Sequence, residues 1–273
     1  HVDRKLTSRL DRASGRPCDP PFARARACAT CLPMAVEQHL KEAFGDASPE
    51  QFYWQTRHPV VAANERELVT RAFAPLGKRV LDFGCGEGAT LHHLGAPAGA
   101  VGVDLFEDKI AFARREMPQC KWIAGSVYEL PFEDGAFDHV LVRDLVHHLD
   151  RPEAGIAEAA RLLEPGGRID VLEPCGRNPL VFMHALLEPA ERGEWRSTRA
   201  FLHGLLEKHF DVIAFEALQP LPIHRIVFHH KRGRPELAAS DLAKNGVASL
   251  ERLFEFAMPR PMWAYLHLRA IKR

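Results

Sequence analysis

Val80-Leu-Asp-Phe-Gly-Cys-Gly-Glu-Gly-Ala-Thr90 decides how this 273-residue chain folds. Val80 to Phe83 reads as a short buried strand, and Ala89 to Leu94 as the opening of a helix. Gly84, Gly86 and Gly88 make the turn between them almost free of side chains. Strand, glycine loop and helix together bring backbone N–H groups close to a bound nucleotide or nucleoside. Asp82 lies two residues before the first glycine, at a strand end beside a helix N-terminus, where a carboxylate meets a cationic ligand group. The loop alone does not name its ligand, because Gly84-x-Gly86-x-x-Ala89 also satisfies the looser dinucleotide pattern.

Outward from this stretch the pattern repeats. Ala98 to Asp104 is an apolar run ending in an acid, followed by a helix up to Met117. Cys120 to Gly125 reads as a third strand and His139 to Val142 as a fourth. A helix over Glu153–Leu163 leads through Pro165-Gly166-Gly167 to a fifth strand, Arg168 to Pro174. Four βα repeats in a row imply parallel strands with right-handed crossovers and helices on both faces. The fold class expected is α/β: a doubly wound, Rossmann-like sheet, mostly parallel with a C-terminal antiparallel strand, and with helical insertions. Asp82, Asp104, Ser126, Arg143 and Glu173 all fall at the carboxyl edge of that sheet. An acid at the tip of the second strand, as at Asp104, can accept hydrogen bonds from both ribose hydroxyls.

Composition sets the frame. The chain is 46% hydrophobic and 26% charged, and Lys+Arg balance Asp+Glu at 36 each, so no global field points to nucleic acid or an acidic membrane surface. No apolar run is long enough for a membrane span. The six cysteines are scattered, which fits reduced thiols and a cytoplasmic location. Residues 1–32 are rich in Arg and broken by Pro17, Pro20 and Pro21, and read as a flexible basic arm. Cys18, Cys28, Cys31 and His39 lack the second paired motif of a zinc site, so no metal is expected. Residues 33–75 read as N-terminal helices: one from Pro33 to Phe44, then a helical stretch from Ser48 to Phe73. Its aromatic residues, Tyr53 above all, stand where they can close over a ligand.

Asp82-x-Gly84-x-Gly86-x-Gly88, the strand-end Asp104 and Ala124-Gly-Ser…Leu130-Pro-Phe132 occur in order. Phe137-Asp138, Val146-His-His-Leu149 and Leu163-x-Pro165-Gly-Gly167 complete the series. As a set, these residues resemble the class I S-adenosylmethionine-dependent methyltransferases, in particular the ubiquinone/menaquinone-type (methyltransferase type 11-like) branch. The resemblance spans roughly residues 50–175. It implies S-adenosyl-L-methionine as cofactor, held over a core of residues 76–175. Asp82 with Gly84, Cys85 and Gly86 would hold the methionine end, and Asp104 the ribose. Leu105 would pack on adenine, and Ser126 and Val127 would bracket its edge; Ser126 stands where the branch commonly has Asp. Arg143 would lie between cofactor and acceptor. A sulfonium ligand suits Asp82, whereas a carboxylate there would repel a pyrophosphate, which argues against an NAD(P)-dependent oxidoreductase.

Two insertions stand outside this core. Residues 176–209, with helices over Asn178–Leu187 and Thr198–His209, are expected to form a lid in which Arg177 and Arg196 reach an acidic acceptor. Residues 210–273 hold the last strands, a basic patch at His229–Arg234 and an amphipathic helix, Val247–Ala257, with Leu250, Leu253, Phe254 and Ala257 on one face. The apolar content of both insertions suggests an apolar or aromatic small-molecule acceptor, methylated by in-line displacement. His147 is the nearest candidate for a general base, if one is needed. A monomer or homodimer is expected, with no nucleic-acid partner. A non-catalytic cofactor-binding regulator would carry the same loop and acids.

Overall fold

The computed structural model describes residues 41–273. The expected arm, Cys18, Cys28, Cys31, His39 and most of the helix from Pro33 lie outside the described residues; 41–44, its end, are helical. Two helices follow, α1 (Pro49–Arg57) and α2 (Val61–Phe73), with the stretch expected to be continuous broken at 58–60. The first half of the sheet then alternates with helices: β1 (Val80–Phe83), α3 (Ala89–His93), β2 (Val101–Asp104), α4 (Glu107–Glu116) and β3 (Lys121–Ala124). Next come β4 (Phe137–Arg143), a 3-10 turn at Val146–His148, α5 (Pro152–Leu162) and β5 (Leu163–Pro174). The β5–β6 insertion holds α6 (Pro179–Leu187), a 3-10 segment (Pro189–Arg196) and α7 (Arg199–Leu206). The chain closes with β6 (Phe210–Leu218), α8 (Ile223–Val227), α9 (Asp241–Ala257) and β7 (Tyr265–Lys272).

The seven strands lie in the order β3-β2-β1-β4-β5-β7-β6. The first five are parallel, and β7 runs antiparallel between β5 and β6. Strand order reverses at β1 and β4, so their crossovers leave to opposite sides and a crevice opens at their carboxyl ends. The apolar run of β1 is buried throughout, as a central parallel strand requires.

Side-chain alternation sends the strands' residues to two cores. Leu81, Val140, Val142 and Ile169 pack with Ile156 of α5 and Leu205 of α7. Val80, Leu141 and Leu172 pack with Leu68 and Val69 of α2 and Ile110 of α4. By the same parity Asp82 and Arg143 face the second side, where α2 supplies Glu65, which is fully buried. Glu65 accepts from Arg143 at 2.5 Å and from Arg225 of α8 at 2.8 Å, and so joins the N-terminal helices, the central strand and the C-terminal insertion. A third small cluster, Trp54, Val61, Phe228, Ala238 and Val247, reinforces that junction.

One expected face turns out rotated. Helix α9 begins at Asp241, earlier than its apolar pattern indicates, and packs through Val247 with Phe254 half-buried, while Leu250 and Leu253 of the expected face are 47% and 59% exposed. The cause is polar: Glu251 of α9 accepts from the backbone N–H and the Nδ1 of buried His224, which fixes the helix rotation.

Burial alone would raise the Glu65 carboxyl pKa, but Arg225 and Arg143 prevail and hold it down at about 2. Removing one partner of a buried pair strands the other charge, so Glu65→Ala is expected to cost about 3–5 kcal/mol in urea denaturation at neutral pH. A depressed carboxyl pKa stabilises above the unfolded value of 4.5, so the difference from wild type should shrink as pH falls from there toward about 2.

Candidate active site

The glycine loop is tied to β2. Gly84 and Cys85 donate their N–H groups to the Val103 carbonyl at 2.9 and 2.8 Å. Gly86 donates to Asp104 Oδ2 at 2.9 Å, and Phe106 N–H to Asp104 Oδ1 at 3.1 Å. Gly86 has φ +54°, a left-handed backbone that suits glycine, and nothing lies within 4 Å of where a Cβ would stand. The loop therefore presents bare backbone to a cavity of about 200 Å3 lined by Gly84, Cys85, Gly86, Asp104, Arg143 and His148, among others.

Asp82 stands behind this loop, 1% exposed. Burial, with Asp104 adding to it and Arg143 opposing, pushes its pKa up to about 7. Its Oδ2 has no hydrogen-bond partner among the described residues. A buried carboxylate oxygen without a donor costs free energy unless a ligand supplies one. Beside it, Arg143 is held by Glu65, and its Nε lies 3.2 Å from Asp144 Oδ2. Past Asp104, Leu105 is half-buried; Ser126 Oγ accepts from the Tyr128 N–H at 3.4 Å, and Val127 is buried. Strand pairing of Asp104 with Ala124 sets these residues beside the acid.

Glu173, fully buried at the end of β5, shapes the turn after β4. Its Oε1 accepts from the N–H groups of Leu145 and Val146 at 2.7 and 2.8 Å, and its Oε2 from His147 Nδ1 at 2.7 Å. His147 Nε2 lies 3.2 Å from Glu191. Burial opposes charge on this imidazole, yet Glu173 and Glu191 outweigh it and hold its pKa at about 10. With a carboxylate facing each ring nitrogen and the residue outside the cavity lining, the geometry does not favour the expected general-base role of His147. The cavity is lined instead by His148, whose pKa burial and the neighbouring His147 charge lower to about 4.

Other expected residues stand elsewhere. Tyr53 donates its hydroxyl to Glu116 at 2.8 Å and packs under the Arg57 guanidinium, away from the cavity. Gln55, two residues on, lines the cavity together with Phe44 and Lys109. Helical phase explains this, since residues 53 and 55 point about 200° apart. Arg177 lines a separate groove of about 1020 Å3 between α7, β6 and residues 260–261. That groove is the wider of the two but contains none of the glycine loop or Asp104, so the smaller cavity is the one that matches the loop's chemistry. Arg196 donates to the Leu149 carbonyl at 3.4 Å and so anchors the insertion to the turn after β4.

Fold and crevice together define a doubly wound sheet with an acid near the end of each of its first two strands. Residues 81–170 match the family model described as a methyltransferase domain. A fatty-acid O-methyltransferase of Mycolicibacterium smegmatis is 40% identical over 96 residues, which cover 33% of this chain and 35% of that protein. A demethylmenaquinone methyltransferase of Clavibacter sepedonicus is 34% identical over 113 residues, covering 40% and 46%. The chain spans less than half the length of these relatives. In fold it is similar to an S-adenosylmethionine-dependent methyltransferase of Thermotoga maritima, described as a possible histamine N-methyltransferase, with TM-score 0.60 and 20% identity over 86% of this chain and 99% of that one. Over residues 81–170 the chain thus matches a methyltransferase domain, and over less than half of its length it is similar to demethylmenaquinone and ubiquinone-biosynthesis methyltransferases.

The raised Asp82 pKa has a measurable sign. The ligand-free fold binds the Asp82 proton more tightly than the unfolded chain, whose value is 3.8. Its stability should fall as pH rises from about 4 to about 7, and Asp82→Asn should remove that slope. Thermal melts across this range, in the absence of ligand, should show the variant equal to or above wild type at the upper end.

Proposed function

We propose that this chain transfers a methyl group from S-adenosylmethionine to a small apolar or aromatic acceptor. The observation that carries the reading is Asp82: a buried carboxyl oxygen without a donor, behind a glycine loop, on a fold shared with methyltransferases. When bound, the cofactor supplies an activated methyl on a sulfonium, with a neutral thioether as leaving group. Asp82 would receive the ammonium of its amino acid tail, giving the orphaned oxygen its donor. Asp104 would take the ribose hydroxyls, with Leu105, Ser126 and Val127 around the adenine. Arg143 and Lys109 line the same cavity and would balance the tail's carboxylate. Because the leaving group is good, alignment and exclusion of water supply most of the acceleration these residues must provide.

The apolar acceptor reading draws support from the β5–β6 insertion. Phe182 and Trp195 stack there at 5.6 Å between ring centroids, and Met183, Leu186 and Leu187 are 48%, 49% and 67% exposed. Most of this apolar surface lies on α6, which packs on the 3-10 segment that in turn contacts the turn carrying His148. The C-terminal insertion contributes less than its composition promises, since Phe228 is buried in the core.

Calorimetric titration with S-adenosylmethionine and, separately, NADH tests the reading. The first should bind in the micromolar range and weaken at least about tenfold in both Asp82→Asn and Asp104→Ala, the loss of one charge-assisted contact each. Near pH 6 binding should also release a proton, because Asp82 must ionise to meet the ammonium, and near pH 8.5 it should not. NADH binding alone, or cofactor affinity indifferent to both variants, would overturn the assignment. Methyl transfer to RNA or protein, with none to fatty acids or quinols, would overturn the acceptor class.

A further inference from the structure

The 3-10 segment Pro189–Arg196 lies hard against the turn at Val146–His148. A Cβ on Gly193 would come 1.8 Å from the His147 carbonyl oxygen, so only glycine allows the approach. The seam joins side chains far apart in sequence. Glu191 Oε2 lies 3.7 Å from His148 Nε2, and Glu194 Oε2 lies 3.5 Å from His184 Nδ1. The ligating atoms of His184, Glu191 and Glu194 are all within 4.8 Å of one another. Two ligands bound at about 2.1 Å to one ion stand roughly 3–3.5 Å apart, so the Glu194–His184 pair already has that spacing and a side-chain shift of about 1 Å would bring Glu191 onto the same centre.

A second observation points into the seam. Glu194 is only 6% exposed, and its Oε2, the atom facing His184, has no hydrogen-bond partner among the described residues. His147 stands just outside, with Nδ1 2.7 Å from Glu173 and Nε2 3.2 Å from Glu191, and so orients the Glu191 carboxylate.

We propose that this seam binds one divalent transition-metal ion through His184, Glu191 and Glu194. One imidazole and two carboxylates suit Zn2+, Mn2+ or Fe2+, whereas Mg2+ and Ca2+ favour all-oxygen sites. Glu191 also lies 3.7 Å from Nε2 of His148, which lines the cofactor cavity, so the ion stands near the cavity rim. In sequence the three ligands lack the paired Cys or His motif that marks a metal site.

The test uses the full chain without an affinity tag, stripped with a chelator and titrated with Zn2+ by calorimetry. Variants are Glu191→Gln, Glu194→Gln and the partly exposed His184→Ala, each checked by circular dichroism for wild-type fold, and a Cys28→Ser/Cys31→Ser control for the arm thiols. One equivalent of Zn2+ should bind, weakened at least about tenfold in each of the three seam variants and unchanged in the cysteine control. Co2+ should give visible d–d bands without thiolate charge-transfer absorption, and excess Mg2+ should not compete. Binding that survives in any seam variant, that disappears in the cysteine control, or that is absent from wild type overturns the proposal.

Discussion

A carboxylate on the central strand of a parallel sheet, closed off from water, constrains everything built around it. Asp82 occupies that position with Oδ2 unpaired, and its burial raises its pKa to about 7. The ligand-free fold accepts this cost because the surrounding layers are well paired. Asp104 fastens the loop through Gly86 and Phe106, and Glu65 holds Arg143 and Arg225. An unpaired acid behind a bare glycine loop, beside Arg143 whose Nε also lacks a hydrogen bond, is the kind of perturbed group that clusters at functional sites.

The same economy of charge recurs along the second face of the sheet. Asp170 of β5 is fully buried and accepts from His139, His267 and Arg269, with Arg168 at 2.9 Å. Burial would raise its pKa, and these donors drive it well below the usual carboxylate range. Glu173, three residues on, points to the opposite face and organises the turn that carries His147 and His148. Strand parity thus sets Asp170 among the ion pairs of the second face and Glu173 under the turn that carries His147 and His148.

The strands, the glycine loop and the two acids were legible because backbone needs dictate them: apolar runs for buried strands, glycine for a bare turn, an acid at each strand tip. The helix starts at Asn178 and Thr198 were legible for the same local reason, and both residues cap their helices. What escaped depends on tertiary phase. His147 and His148 are indistinguishable in sequence, and only Glu173 and Glu191 decide that the first is locked as a cation while the second lines the cavity. Tyr53 and Gln55 differ by a helical rotation that depends on how α1 lies on α4. The outward face of α9 follows from one hydrogen-bonded pair, His224 and Glu251, that no hydrophobic pattern encodes.

The most direct test of this account is the ionisation of Asp82 itself, read by 13C NMR of aspartate side-chain carboxyls with Asp82→Asn as the assignment control. In the free protein it should titrate near pH 7. With saturating S-adenosylhomocysteine, whose ammonium supplies the missing donor, its midpoint should fall to the ordinary carboxylate range or below. A midpoint that stays near 7 in the complex, or one that is already ordinary in the free protein, would contradict the assignment of Asp82 as the cofactor's cation acceptor.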